Sequence, residues 1–260
     1  PVERLALGQR RAGAAITLLR QGERESILDV LRGDSGGGLR EDPDGGLRGD
    51  PESLTQFVHR CRARGILPPQ LLECLKLADQ LRQPKTGEAR RIEDRVLYGL
   101  LLALGEFELT ELPEAQREGF VEQLTVWYAG DPSSAVHGAT GWLLRRWKQD
   151  ESATKVDQTA VPFVEGREWF TLEFVVPDQE GGPDKESGDE SPHSKETKFY
   201  VTFVVFPAGE YPIGSPPNEA DHLADENLHP VKLTRPMAVS DREITWAQLN
   251  PFLPGRHDNW

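Results

Sequence analysis

Sulfur is scarce in this sequence. Its 260 residues include two cysteines, Cys61 and Cys74, and one methionine. This low cysteine content excludes a cystine-rich secreted scaffold and is typical of a reducing compartment. The two cysteines fall on consecutive predicted helices and outside any CxxC pattern. We interpret them as buried, inert thiols, with a redox pair as the alternative.

Basic residues and long apolar runs are also scarce. Thirty lysines and arginines stand against 43 aspartates and glutamates, a formal net charge of -13 at pH 7. Such a surface repels phosphate backbones, so no nucleic-acid partner is expected. The longest apolar run, Val96–Gly105, is about half of the ~20 residues that a membrane span requires. We therefore expect a cytoplasmic protein without a membrane span.

Several recognisable motifs are missing altogether. Neither a P-loop nor a GxGxxG motif occurs, which excludes nucleotide binding by those two devices. No nucleophile motif accompanies His59 or His137, which we interpret as surface or packing residues. The sequence begins with Pro1 and carries no signal-peptide pattern. We expect the chain to be a fragment of a longer protein.

Up to about Lys148, amphipathic stretches of helical length alternate with short Gly or Pro breaks. The strongest helix-start signal is the Asp131-Pro132 pair. Helices of this length joined by short breaks pack as antiparallel pairs, in a HEAT-like solenoid or an irregular bundle. The predicted helices are Val2–Arg20, Glu23–Arg32, Pro51–Arg64, Pro68–Arg82, Glu88–Leu104, Pro113–Ala129 and Pro132–Lys148.

Two connecting segments have the composition of loops. Residues 37–44 read GGLREDPD and residues 45–52 read GGLRGDPE, a tandem duplication rich in glycine. We predict a flexible loop over residues 33–50 and interpret the duplication as a tolerated expansion, with a binding role as the alternative. Residues 177–198 are acidic and lack aliphatic side chains, so we predict a disordered insert.

From Val161 onward, strand patterns replace helical ones. Arg167–Val176 and Lys198–Phe206 are rich in aromatic and β-branched residues with partial alternation. We predict that these two strands pair as an antiparallel hairpin, with the acidic insert as its connection.

One dense group of potential metal ligands follows the strands, namely His222, Asp225, Glu226 and His229. The group lacks the HExxH arrangement and contains no cysteine, so we favour a solvated acidic loop over a zinc site. No metal is therefore assigned to it.

Three tryptophans, Trp127, Trp142 and Trp147, lie near the ends of the last two predicted helices. We interpret them as core residues that interlock these helices, with an aromatic ligand platform as the alternative.

Residues 203–252 carry the most informative pattern. It comprises Phe206-Pro207-Ala208-Gly209, Ile213-Gly214-Ser215, Glu226 with His229 and Val231, Glu243-Ile244-Thr245, and Phe252. Over about residues 199–260 the chain resembles the opening of the formylglycine-generating enzyme family, also called sulfatase-modifying factor domains. Ile213 stands where methionine is common, and Pro230 follows the histidine rather than preceding it. The family-motif positions, interpreted as structural, are Gly209, Gly214, Ser215, Glu226, His229, Glu243 and Thr245. Among them, we predict that Gly209 and Gly214 supply turn geometries closed to other residues.

The resemblance implies a link to oxidative protein modification. True formylglycine-generating enzymes oxidise a sulfatase cysteine to formylglycine, using molecular oxygen and a copper ion held by a cysteine pair in the C-terminal half of the domain. This chain has no cysteine after Cys74. No catalytic or metal position therefore carries over to it, no cofactor is expected in the fragment, and the fragment is expected to be inactive. Copper is expected only in an intact family domain.

The expected fold is multidomain α+β. Residues 1–150 form an all-α region, and residues 151–260 form the truncated start of a mixed, β-rich domain related to C-type lectins. The resemblance extends weakly to the helical region, which looks like those found ahead of such domains in large multidomain bacterial proteins.

Two functional classes remain open. The intact protein is either an oxidase acting on a protein substrate, with the helical region as its docking element for a protein partner, or a recognition module that has lost catalysis. A scaffold attached to a serine/threonine kinase is a further variant of the second class.

Limited proteolysis tests this organisation. Early cuts are expected within 36–49 and within 181–195, because a protease requires an extended, solvated backbone. The fragments can be identified by mass spectrometry. Protection of both segments would contradict the predicted loops.

Overall fold

The computed structural model describes residues 2–32, 51–176, 197–215, 223 and 225–249. Helices and small antiparallel sheets form an α+β architecture, as predicted. The chain divides into two compact units, Pro1–Ala153 with Tyr211–Val231, and Thr154–Glu210 with Lys232–Trp260. The predicted loop 33–50 and residues 177–196 of the predicted insert lie outside the described residues, whereas residues 197 and 198 belong to a strand.

Each helix predicted from periodicity is present, with ends shifted by a few residues. A short polar helix at the end of the series and a 3-10 turn, Leu109–Glu111, escaped prediction. The helices of the first part of the chain are α1 Val2–Gln21, α2 Arg24–Arg32, α3 Pro51–Cys61, α4 Pro68–Arg82, α5 Gly87–Leu104, α6 Glu114–Gly130, α7 Ser134–Arg146 and α8 Asp150–Asp157.

The first compact unit contains most of the helices, and we call it the helical unit. Helix α5 lies at its centre. It packs against α2, α3, α4 and α7, while α1 packs on α3 and α6 packs on α7. The run that begins at Val96 supplies the buried face of α5, including Leu97, Leu100 and Leu104, all fully shielded from solvent. Burying an aliphatic side chain of this size contributes about 1.5–3 kcal/mol. No helix in the described part of the chain is long and apolar enough to cross a membrane.

Helices α5 and α7 run in the same direction. At their C-terminal ends, the Arg146 Nε donates a hydrogen bond to the Gly105 carbonyl at 3.1 Å and the Trp147 Nε1 donates one to the Phe107 carbonyl at 2.8 Å. A Cβ atom at Gly105 would lie 2.1 Å from Cη2 of Trp142. Gly105 is therefore required by the approach of the tryptophan ring, since its φ of -68° is open to any residue.

At the opposite end of these two helices, Arg82 of α4 is buried, with 2% of its surface exposed. Its Nη1 donates to Asp94 of α5 at 3.0 Å, its Nη2 to Asp131 at 2.5 Å and its Nε to Asp79 at 2.7 Å. The guanidinium also lies over the ring of Trp127. Burial alone would lower the pKa of Arg82, but its hydrogen bonds to the three carboxylates raise it.

The Arg82 contacts explain where helix α7 begins. The Asp131-Pro132 pair predicts a helix start at Pro132, but α7 begins at Ser134. The Asp131 carboxylate instead accepts hydrogen bonds from Arg82 and, at 3.0 Å, from the Ser133 N–H. The predicted start is therefore two residues too early, because the Asp131 carboxylate is engaged by Arg82 and by the Ser133 N–H.

A second buried carboxylate lies one residue before Asp94. Glu93 accepts hydrogen bonds from Arg32 of α2 at 2.9 and 3.0 Å and another from Lys85. Burial alone would raise the pKa of Glu93, but these hydrogen bonds lower it below its ordinary value. Its contribution to stability is therefore present above the unfolded-state pKa of about 4.3 and is lost as the pH falls through the lower folded-state value.

The predicted hairpin is confirmed. Strands β1 Trp169–Val176 and β2 Thr197–Phe206 pair in antiparallel fashion, and β5 Met237–Ser240 pairs antiparallel to β2 on its other side. One face carries two aromatic cross-strand stacks, Phe170 on Phe203 with centroids 5.4 Å apart and Phe174 on Phe199 at 5.2 Å. On the opposite face, the Thr171 and Thr202 hydroxyls are hydrogen-bonded at 2.9 Å.

Substitution of Arg82 tests the buried ion group. We expect Arg82→Ala to lower the free energy of unfolding by roughly 3–5 kcal/mol, because it leaves carboxylates buried without their cation. Urea denaturation followed by circular dichroism measures the loss. Lys76→Ala, an exposed residue of the same helix, is the matched control and should change the free energy of unfolding by less than about 0.5 kcal/mol. Equal effects of the two variants would contradict the assigned role.

Candidate functional site

The family-motif positions between Gly209 and His229 gather around a two-stranded sheet. Its strands are β3 Gly209–Ile213 and β4 His229–Leu233. An isolated bridge joins Ser215 and Asn227 just beyond the end of β3. The sheet thus brings two motif elements together across the polar loop that separates them in sequence.

Gly214 occupies a position that only glycine fits. Its φ is +98°, and a Cβ atom there would lie 2.3 Å from the Asn227 carbonyl oxygen and 2.9 Å from that of Glu226. Both obstacles are backbone atoms, which cannot rotate away as a side chain can. The prediction that Gly214 supplies special turn geometry is confirmed.

Ser215 and Glu226 are linked by backbone and side chain. The Ser215 N–H donates to the Glu226 carbonyl at 2.8 Å, and the Ser215 hydroxyl donates to Glu226 Oε2 at 3.0 Å. The Leu223 N–H donates to the same carboxylate oxygen at 3.3 Å. We call Gly214, Ser215 and Glu226 the Gly-Ser-Glu clasp. Its contacts hold both ends of the loop, so these residues have a structural role here.

His229 is exposed at the start of β4, and its Nδ1 lies 2.7 Å from the Asn227 carbonyl oxygen. Because a carbonyl only accepts hydrogen bonds, Nδ1 is the donor in this contact. Gly209 begins β3 without a positive φ, so the prediction that it supplies a special turn is wrong. In β3 its backbone takes part in ordinary sheet geometry.

The last two motif positions lie between β5 and the short helix α9, Trp246–Leu249. Glu243 is exposed in this connection. Thr245 precedes the helix, and its N–H and hydroxyl donate to the Gln248 Oε1 at 2.9 and 3.0 Å. The Gln248 N–H donates back to the Thr245 hydroxyl at 3.3 Å. Thr245 is therefore an N-terminal cap, while Phe252 lies outside the described residues.

The described residues do not assemble the predicted group of metal ligands. His222 lies outside them, and Glu226 is engaged in the clasp. Within the described ranges, no group of three or more histidine, cysteine, aspartate or glutamate side chains could hold a metal ion.

The two thiols do not fit a copper-thiolate site. Cys61 on α3 and Cys74 on α4 are free and fully buried. Burial raises the pKa of Cys61 to about 12 and that of Cys74 to about 11. Both side chains therefore stay protonated at neutral pH, whereas a metal ligand must be a thiolate. The prediction of buried thiols is confirmed.

Two of the three tryptophans belong to the core, and the third does not. Trp127 and Trp147 are buried, and the ring of Phe120 meets Trp147 edge-on at 5.9 Å. Trp142 is 42% exposed, so its prediction as a core residue is wrong. It lines an open hollow of about 420 Å³ together with Tyr98, Leu102, Ser134, Ala135, Gly138 and Ala139.

The two helical histidines differ in environment. His137 is buried, stacks on Tyr128 at 4.5 Å, and its Nδ1 lies 2.7 Å from the Tyr128 carbonyl oxygen. His59 is exposed beside Glu106, with Nδ1 3.5 Å from a carboxylate oxygen. Packing and surface roles, as predicted, account for both residues.

The chain was compared with models of known protein families, with curated proteins and with solved structures, and no match was found in any of the three.

Gly214→Ala tests the clasp. We expect the substitution to destabilise this region by about 1–2 kcal/mol because of the positive φ alone. The overlap of the new Cβ with the backbone of Asn227 and Glu226 should destabilise it further. Amide hydrogen exchange within β3 and β4 should become at least about tenfold faster. Gly119→Ala is the control, since a Cβ at this helical position meets no atom within 4 Å. Unchanged exchange in Gly214→Ala would contradict the geometry.

Proposed function

We propose that this chain is part of a sulfatase-modifying-factor protein related to formylglycine-generating enzymes. The observation that carries the proposal is the Gly-Ser-Glu clasp. Gly214, Ser215 and Glu226 are three positions of the family resemblance, and they touch one another although a loop separates them in sequence. A chance similarity of short motifs would not require the matching residues to depend on one another structurally.

The connection from β5 to α9 gives further support. Glu243-Ile244-Thr245 stands where the family pattern has a strand leading into a helix, and Thr245 caps a helix at that point. The local structure of these three residues is thus consistent with the strand-to-helix connection of the family pattern. The proposal concerns the opening part of the domain, about residues 199–260.

The oxidative chemistry of the family would lie outside this chain. In an active relative, the metal activates oxygen for oxidation of a substrate cysteine, and its ligands are thiolates. The two cysteines of this chain are buried and protonated. The chain would contribute the framework of the domain's first strands, and the helices would position that domain relative to a protein partner or protein substrate.

A recognition module without catalysis is the second candidate. The exposed Trp142 and its hollow favour it, because an exposed tryptophan beside a concave surface is typical of a binding site. This role is compatible with an attached kinase or another signalling domain.

The test is made on the full-length protein. Its reading frame is sequenced, the purified protein is loaded with copper, and a cysteine-containing sulfatase peptide is incubated with it in air and analysed by mass spectrometry. Formylglycine formation, lost when a downstream cysteine pair is replaced by serine, would support the oxidase. Absence of a cysteine pair and of copper binding would exclude the oxidase and leave the recognition module.

A further inference from the structure

Strand β5 lies at one edge of the three-stranded sheet. The strand order is β1-β2-β5, so β2 covers one side of β5, and in the part of the chain that the structure describes no strand covers the other side. We call that uncovered side, over Met237–Ser240, the β5 edge. The edge of a sheet presents backbone hydrogen-bonding groups to which another strand can pair. The β5 edge is therefore a candidate interaction surface.

The pairing of β5 with β2 determines which backbone groups point outward. The Asp241 N–H donates to the Thr202 carbonyl at 2.9 Å, so these two residues occupy a hydrogen-bonded position of the antiparallel ladder. Hydrogen-bonded positions alternate with positions at which the paired residues make no hydrogen bond to each other. The N–H and C=O groups of Ala238 and Ser240 therefore point away from β2. They can pair with a further strand.

The side chains of the β5 edge are uncharged and partly apolar. Met237 is 46% exposed and Val239 is 42% exposed, and they lie beside Phe206 and Val204 of β2 on one face of the sheet. The short length of β5 and Pro236 just before it limit how much strand can pair here, whereas a charged side chain inside the strand, another common protection, is absent. The edge therefore suits a small, bounded contact.

Charges of opposite sign flank the β5 edge. Arg235 precedes the strand, Glu243 follows it, and both are exposed. Within the described ranges neither of them forms an ion pair, whereas Arg242 is bound to Asp241 at 2.9 Å. Antiparallel pairing of two copies places the start of one strand beside the end of the other, so Arg235 of each copy comes near Glu243 of the other. The flanks of β5 are thus complementary to themselves, which favours a second copy of this chain as the occupant.

We propose that this chain forms a two-fold symmetric dimer in which the β5 edges of two copies pair in antiparallel fashion. Ala238 of each copy pairs with Ser240 of the other, and each such pair exchanges both of its backbone hydrogen bonds. This register places Val239 opposite Val239 of the second copy, at the symmetry axis. The two sheets become one continuous sheet. The inference goes beyond the proposed function, because it requires neither the clasp nor oxidative chemistry.

Sedimentation velocity over a range of protein concentrations tests the proposal on the 260-residue chain and on the full-length protein. We expect a reversible equilibrium of monomer and dimer with a micromolar dissociation constant in both, because the contact is small. A chain that stays monomeric at every concentration would overturn the proposal. Dimerisation of the 260-residue chain without dimerisation of the full-length protein would also overturn it, and would assign the β5 edge to another segment of the full-length protein.

A backbone variant tests whether the dimer uses the β5 edge. Ala238→Pro removes an outward N–H but no hydrogen bond to β2, and proline is tolerated at such positions of edge strands. Circular dichroism should therefore show an unchanged fold. We expect the dissociation constant of the dimer to rise at least about tenfold, because each copy loses a hydrogen bond. Unchanged dimerisation of this variant would exclude the β5 edge as the contact.

Two lysine variants form a matched pair that leaves the backbone unaltered. Val239→Lys places two like charges opposite each other at the symmetry axis and should weaken the dimer at least about tenfold. Val175→Lys is the control, because this valine of β1 is 45% exposed at the opposite edge of the sheet. It should dimerise as the unmodified chain does. Equal effects of the two variants would contradict the assigned edge.

Exchange of the flanking charges tests the identity of the occupant. Arg235→Glu places two glutamates near each other at both ends of the contact and should weaken the dimer at least about threefold. Combining Arg235→Glu with Glu243→Arg restores the complementarity and should return the dissociation constant to that of the unmodified chain. A double variant that dimerises no better than Arg235→Glu would overturn the antiparallel pairing of two copies.

Discussion

The guanidinium of Arg82 is surrounded by three aspartates, and the helical unit is arranged so that all three can reach it. Asp79 comes from the same helix, Asp94 from α5 and Asp131 from the connection between α6 and α7. A buried cation is tolerated only when its hydrogen-bonding groups are satisfied. This requirement fixes the relative position of α4, α5 and the start of α7. Leucine packing alone permits many alternative registers of the same helices.

That constraint leads to the other features of the unit. With Asp94 and Asp131 drawn to one arginine, the N-terminal parts of α5 and α7 lie side by side, and the two helices run in the same direction. Their C-terminal ends then meet through Gly105 and the tryptophan ring of Trp142. The hollow between α5 and α7 follows from this arrangement, because the small residues on α7 leave it unfilled. A satisfied ion group thus determines the geometry of an exposed apolar surface.

Helical periodicity allowed much of the first unit to be predicted, because each helix buries one regular face. The start of α7 could not be predicted, because the local sequence does not show whether the Asp131 carboxylate caps a helix or binds a distant arginine. Helix α8 escaped because it is short and polar. Trp142 was wrongly predicted to be a core residue. Periodicity places it correctly on helix α7, but it cannot show that the ring packs against Gly105 of another helix. The missing side chain at Gly105 leaves room for the ring to lie across the surface.

The strands were predictable from their aromatic and β-branched residues, and the Gly-Ser-Glu clasp was only partly so. The resemblance identified Gly214, Ser215 and Glu226 as structural positions, but nothing local shows that a serine contacts a glutamate across a loop. Gly209 and Gly214 were equivalent in sequence, yet only Gly214 has a positive φ. The difference arises from the carbonyl groups of the opposing segment, which are set by tertiary structure.

The parallel course of α5 and α7 has a consequence for the folding kinetics. The contacts of α4 with α5 and of α6 with α7 join helices that are neighbours in sequence, so they can form early and locally. Contacts between α5 and α7 must wait until α6 has reversed the chain. The ion group at Arg82 joins both helix pairs and belongs to this later stage. The free energy that this ion group contributes is therefore expected mainly to lower the unfolding rate of the unit. It should have a smaller effect on the folding rate.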